Sequence, residues 1–320
     1  GEGGEAEAPA AAAAAATPDP VASSSPAPAS SSGAGGSASA EAATSTLRSS
    51  QSTTLDKILA AIPDLAPKPD LSWDEGAGQT VDGSAAVLDG RDAPGPSNVA
   101  WISALTVDSK VSGLTIFNGP LNDVPHLLSR ATVVGDNLIY ELDFRPRAYG
   151  AYELRDEEGN YPGPAELGRK AFEYSGARND FFGKFCDEEV QAFFESTKAS
   201  FEGSSAPSED EVPITEFDKL TQGPLAMTVR MSLTDSNVAA IASAQEKAAD
   251  YWLSWATDAS HEHRPGAPVN TQYVYDAKFR QNAYSALLPR FVATFGSEDG
   301  AKLAAADSGP LDEAYVGGGS

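Results

Sequence analysis

One stretch, NDVPHLLSRATVVGDNLIYELDFRPR at residues 122–147, is rich in side chains able to bind or move charge, among them His126, Arg130, Glu141 and Arg145. An imidazole titrates near neutrality, a carboxylic acid can be brought there by burial, and a guanidinium stays cationic throughout. Together they offer either proton transfer to a bound molecule or a charge-assisted grip on one that carries carboxylates. If Gly135-Asp136 forms a type II′ turn, which favours glycine at its first central position, Val134 faces Asn137 and Arg130 faces Glu141. A cross-strand ion pair of this kind stabilises by roughly 0.2–1 kcal/mol. Arg130 therefore has two readings, a structural partner of Glu141 or a cation that holds a ligand. His126 is either a hydrogen-bonded residue at a strand entry or a contact to a bound molecule.

Other candidates are weaker. HEH at 261–263 places His261 and His263 two residues apart, which lets them share a metal only on a strand or loop. With no cysteine pair nearby a solvated loop is the better reading, and no metal is expected. Arg145, Arg147, Arg169, Lys170, Arg178 and Lys184 form a basic cluster in an acidic chain, either solvated faces or a docking patch for an acidic partner. Phe181, Phe182, Phe185, Phe193, Phe194, Trp252 and Trp255 either wall a pocket or pack the core, the second being simpler. The sequence lacks a P-loop, a dinucleotide-binding glycine fingerprint after a strand, and a Gly-x-Ser-x-Gly elbow, which disfavours nucleotide chemistry and triad hydrolysis.

The elements that must position these residues are legible in outline. NVAWISALTV (98–107), VSGLTIFNG (111–119), HLLSRATVV (126–134) and NLIYELDF (137–144) read as an antiparallel meander. Alternation puts Val99, Trp101, Ser103, Leu105 and Val107 on one face of the first strand and Ala100, Ile102, Ala104 and Thr106 on the other. Neither face is strongly polar, so both are expected to be covered. Helical spacing follows in the middle of the chain, a further strand at LAMTVRMSLT (225–234), a long helix in DSNVAAIASAQEKAADYWLSWATDA, and a last helix interrupted at Pro289. Ahead of the meander, TTLDKILAAIP predicts a short amphipathic helix and 63–97 a loop-rich lead-in. The expected fold is an α/β/α sandwich around a mainly antiparallel sheet.

Composition bounds the rest. Residues 1–52 are Ala/Pro/Ser/Gly-rich with almost nothing large and apolar to bury, predicting a disordered tail; 53–97 form the lead-in and 98–320 one domain. The tail fits neither an Arg-rich transit peptide nor a signal peptide. The formal net charge is −24 over 320 residues, which makes nucleic acid an unfavourable partner. No run is long enough for a transmembrane segment. The single cysteine, Cys186, excludes an intrachain disulfide and suits a reducing compartment such as cytosol or plastid stroma.

On W-I-S-A-L-T-V, L-T-I-F, N-D-V-P-H-L-L, N-L-I-Y-E-L-D-F-R-P-R and the closing YDAKFRQNAYSALLPRFVATFG, the chain resembles red chlorophyll catabolite reductase and, through it, the ferredoxin-dependent bilin reductases. The resemblance covers roughly 98–147 and 273–303. It implies a linear tetrapyrrole or chlorophyll-derived pigment held between the sheet and the C-terminal helices. It also implies ferredoxin as electron donor, no tightly bound cofactor, proton delivery by carboxylic side chains, and a chloroplast setting in the stroma or at the thylakoid. Counted from Asp123-Val124-Pro125-His126, the family's strand-borne acid falls at Arg130, which cannot deliver and recover a proton. The second family carboxylate matches Asp276 best. The resemblance then leaves three expectations. Arg130, with His126 and Arg145, anchors a pigment carboxylate while Asp276 or Glu141 supplies protons; or the pocket holds a pigment without reducing it. Or the fold serves as a non-catalytic accessory subunit or assembly factor of a photosystem or antenna complex.

Overall fold

A computed structural model describes residues 36–74, 79–93, 97, 99–147, 183–260 and 269–309. Helix α1 (Ala40–Ala61) leads into the short strand β1 (Ala66–Pro67), a 3-10 turn (Pro69–Leu71), β2 (Thr80–Val81) and β3 (Ser84–Ala93). The meander follows as β4 (Val99–Val107), β5 (Val111–Asn118), β6 (His126–Val134) and β7 (Asn137–Arg145). Then come α2 (Glu188–Ser200), α3 (Glu216–Thr221), β8 (Met227–Ser232), α4 (Asp235–Ala256), α5 (Val269–Phe295) and α6 (Ser297–Ser308). The strands form one eight-stranded sheet in the order β1-β3-β4-β5-β6-β7-β8, with β2 paired to β3, and every pairing is antiparallel.

Helices cover both faces, as the apolar alternation requires. On one side Ile102, Leu114, Leu127, Leu138, Tyr140 and Phe144 pack against Leu47 and Ile58 of α1, Phe194 of α2, and Ile241 and Trp252 of α4. On the other, Leu88, Leu105 and Val107 meet Phe291 and Phe295 of α5 and Leu303 of α6, while Trp101 and Phe117 meet Phe279 and Ala283 of α5. The chain is an α/β/α sandwich on an antiparallel sheet. No helix of the described residues is long and apolar enough to cross a membrane.

Four sequence expectations need correction. The tail does not extend to residue 52, because α1 begins at Ala40, capped by the Ser39 side chain, which accepts from the Ala42 N–H. Its first half is Ala/Ser/Thr-rich, and small residues let the helix approach the sheet closely while the buried Gln51 amide donates to the Gly113 carbonyl. The helix expected at the start of the 53–97 lead-in is the second half of α1, but the stretch read as loop carries strands of the sheet, since β3 pairs along β4 from Ala86↔Val107 to Ala93↔Val99. Gly90, within that stretch, lies against the Trp101 ring, where a Cβ would collide. A register shift between Val99 and Trp101 turns Val99 to the α1 side, together with Ile102 and Ala104 and away from Trp101. Finally, α5 runs unbroken through Pro289, held on both sides of it by Phe279, Ala283, Phe291 and Phe295 against the sheet.

Candidate functional site

The turn expected at Gly135-Asp136 sets the site. Gly135 takes a positive φ of 57°, Val134 pairs with Asn137, and the register carries Arg130 opposite Glu141 and His126 opposite Arg145. All four side chains therefore project from one face, the face under α5 and α6. They line a single cavity of about 480 Å³ counting its open mouth, of which about 30 Å³ is free to the centre of a water molecule. That interior has room for about one or two waters. The opposite wall is α5, through Ala283, Leu287 and Arg290.

Charge in the cavity is paired internally. Arg130, only 2% exposed, donates to Asp307 Oδ2 at 2.6 Å and to Glu141 Oε2 at 3.4 Å, and its guanidinium carbon sits 5.5 Å from the Phe291 ring centre. Arg290 grips Glu141 with two hydrogen bonds of 2.9 and 2.8 Å. The second oxygen of Asp307 accepts from Thr115 Oγ1 at 2.8 Å. An unbroken chain of charge thus runs Asp307, Arg130, Glu141, Arg290 from α6 across the sheet to α5. Burial by itself would lift the Glu141 carboxyl, but Arg290 and Arg130 outweigh it and hold the group down at about 2.

Arg145 lies at the mouth, bonded to Asp218 at 3.0 Å and Thr221 at 3.3 Å on α3, with Asp143 Oδ2 3.3 Å from its Nε. The α3 segment is positioned by a capping box between Thr215 and Asp218. Asp143, 4% exposed, accepts from the Gly223 N–H, and burial pushes its carboxyl up to about 6 against the pull of Arg145 and that N–H. It lines a hollow that adjoins the cavity and shares Glu141, Arg145, Asp218 and Arg290 with it. His126 accepts from the Asn118 N–H through Nδ1 at 3.0 Å, which leaves the proton of the neutral ring on Nε2. Burial, then Arg147, Arg145 and Arg280, keep its pKa well below the usual value. Its ring packs between Phe117 and Phe279.

Asp276 lies elsewhere. It is not among the cavity's lining residues, and both its oxygens accept from Arg147 at 2.7 Å, in a buried clamp that also engages the Gly119 and Asn122 carbonyls. The sequence therefore assembles Arg130, His126, Glu141 and Arg145 in one cavity and leaves Asp276 out. It gave no reason to select Arg290, which follows Pro289 in a helix read for its apolar spacing, or Asp307, a lone acid closing an alanine run. Asp143 was masked by its place in an apparently ordinary strand.

Of the remaining candidates, His261, His263, Arg169, Lys170, Arg178, Phe181 and Phe182 lie outside the described residues. Arg145 and Arg147 are consumed by the ion pairs above, and Lys184 pairs with Asp123 at 3.0 Å. Phe185, Phe193, Phe194, Trp252 and Trp255 pack on the opposite face, with α2 and α4.

No family model matches the sequence, and no curated protein matches it. Among solved structures, phytochromobilin synthase from tomato in complex with biliverdin is similar with a TM-score of 0.49 and 13% identity, over 80% of this chain and 81% of that one. A likeness at that level assigns neither a site nor a substrate to this chain.

Proposed function

We propose that the chain is a non-catalytic accessory protein of a photosynthetic pigment-bearing complex in the chloroplast, one that keeps a bilin-reductase-like sandwich with its cleft closed from within. One observation carries this reading: the charge chain from Asp307 through Arg130 and Glu141 to Arg290 fills the face where a reductase would need a proton donor. Efficient proton transfer needs a group that changes state near the working pH. Glu141, at about 2, stays ionised, and His126 stays neutral. Asp276 is committed to Arg147 outside the cavity. The pigment and chloroplast setting rest on the sequence resemblance to red chlorophyll catabolite reductase.

Asp143 favours a second reading. A buried carboxyl at about 6, beside the cavity, is suited to hand a proton to a linear tetrapyrrole reduced by ferredoxin. Anaerobic mixing of the purified chain with biliverdin or red chlorophyll catabolite, ferredoxin and its reductase separates the two. The accessory reading predicts an unchanged pigment spectrum and co-fractionation with detergent-solubilised thylakoid complexes. Reductive bleaching that Asp143→Asn abolishes would establish the reductase instead.

A further inference from the structure

We propose that Arg130 and Thr115 form a carboxylate receptor occupied by the chain's own Asp307, and that a carboxylic acid with an apolar body displaces Asp307 from it. The inference deepens the closed-cleft reading and rests on it. Both oxygens of the Asp307 carboxylate are engaged, Oδ2 by Arg130 at 2.6 Å and Oδ1 by Thr115 at 2.8 Å, and each donor is only 2% exposed. This is a built two-point site rather than a surface encounter.

Asp307 also sits where its own helix disfavours it. It lies in the last turn of α6, at the negative end of the helix dipole, so the pairing with Arg130 is what holds an anion there. The helix is bounded by two glycines with positive φ, Gly296 at 82° and Gly309 at 81°, a backbone conformation that suits glycine. Beyond the carboxylate the cavity has an apolar side, through Phe117, Leu128, Ala283 and Leu287, opposite the internally paired charges of Glu141, Arg145 and Arg290. A competing acid would therefore place its carboxylate on Arg130 and Thr115 and its hydrocarbon or aromatic body against α5.

The test uses the full chain carrying Asp307→Ala, titrated with sodium propionate and sodium 3-phenylpropionate against sodium chloride at equal ionic strength. The melting temperature of the variant should rise saturably with both acids, with phenylpropionate binding about tenfold tighter or more because it buries its ring. The response should vanish in Arg130→Met/Asp307→Ala. In the unmodified chain, saturating phenylpropionate should speed amide exchange over residues 303–308 by about tenfold, and 3-phenylpropionamide should not. A folded Asp307→Ala variant without a saturable response, or a response that survives loss of Arg130, overturns the proposal. Should Asp307→Ala fail to fold, unchanged α6 exchange in the unmodified chain overturns it equally. Ferredoxin-driven pigment reduction would sink the non-catalytic reading and leave these carboxylate responses in place, so the two failures are separable.

Discussion

Replacing Arg130 with methionine removes a buried cation while keeping a long apolar stem against Phe291. The two acids it serves respond differently. Glu141 retains both hydrogen bonds from Arg290, so its charge stays compensated. Asp307, 3% exposed, keeps only the Thr115 hydroxyl among the contacts described above. Stranding a buried charge by removing its partner costs about 3–5 kcal/mol. The lost cation–π contact adds about 1 kcal/mol, which the methionine sulfur over the same ring largely offsets. The expected destabilisation is thus about 3–4 kcal/mol. Arg130→Met/Asp307→Asn leaves an acceptor for Thr115 and no stranded charge, and should recover about 2 kcal/mol or more, a coupling within the range for contacting pairs. Urea unfolding followed by tryptophan emission and far-UV circular dichroism measures both, provided the slope with denaturant is unchanged. A single variant that loses less than about 1 kcal/mol, or a double variant no more stable than the single, would refute the idea that Asp307 depends on Arg130.

Glu141 falls from 4.5 to about 2 on folding, so between those values the unfolded chain binds the extra proton. Its contribution, on the order of 3 kcal/mol, is present above 4.5 and lost as the pH drops through 2; Glu141→Gln should remove that share of the acid limb in denaturation curves. Asp143 has the opposite sign: raised from 3.8 to about 6, it holds its proton longer in the folded chain, favouring the fold below 3.8 and withdrawing that support as the pH rises through 6. Asp143→Asn should flatten the corresponding decline of about 3 kcal/mol between pH 4 and 7, and a slope identical to the unmodified chain would contradict it. His126 should show a neutral ring protonated on Nε2 in nitrogen NMR at pH 6.5, where a free imidazole is half charged; an imidazolium signal there would disprove the assignment.

The parts of the fold legible in the sequence are those where local chemistry decides. Alternating Val, Ile, Leu and Thr with a Gly-Asp turn gave β6 and β7 their register, and with it the pairing of Arg130 with Glu141. What stayed hidden depends on partners far along the chain. Strand β3 contains Asp89, Gly90, Arg91 and Asp92, and forms because β4 lies beside it and Trp101 needs a neighbour without a side chain. Helix α1 is buried in part through Thr44, Gln51 and Thr54, whose polarity hid the burial. At the site, the sequence could place a cation on a covered strand. It could not show that the acid stationed against it comes from position 307, 177 residues away.

Helix α1 is made early and seated late. Its Lys57 meets Asp250 of α4, 193 residues downstream, and its Gln51 closes over carbonyls of β4 and β5. At a synthesis rate of ~5–20 residues per second, the helix waits ~10–40 s for its principal neighbour to be translated. A small-residue, polar-rich segment can spend that interval in water without aggregating, whereas a greasy one would need a chaperone to hold it. The modest hydrophobicity of α1 is therefore suited to the order in which the ribosome delivers the sandwich.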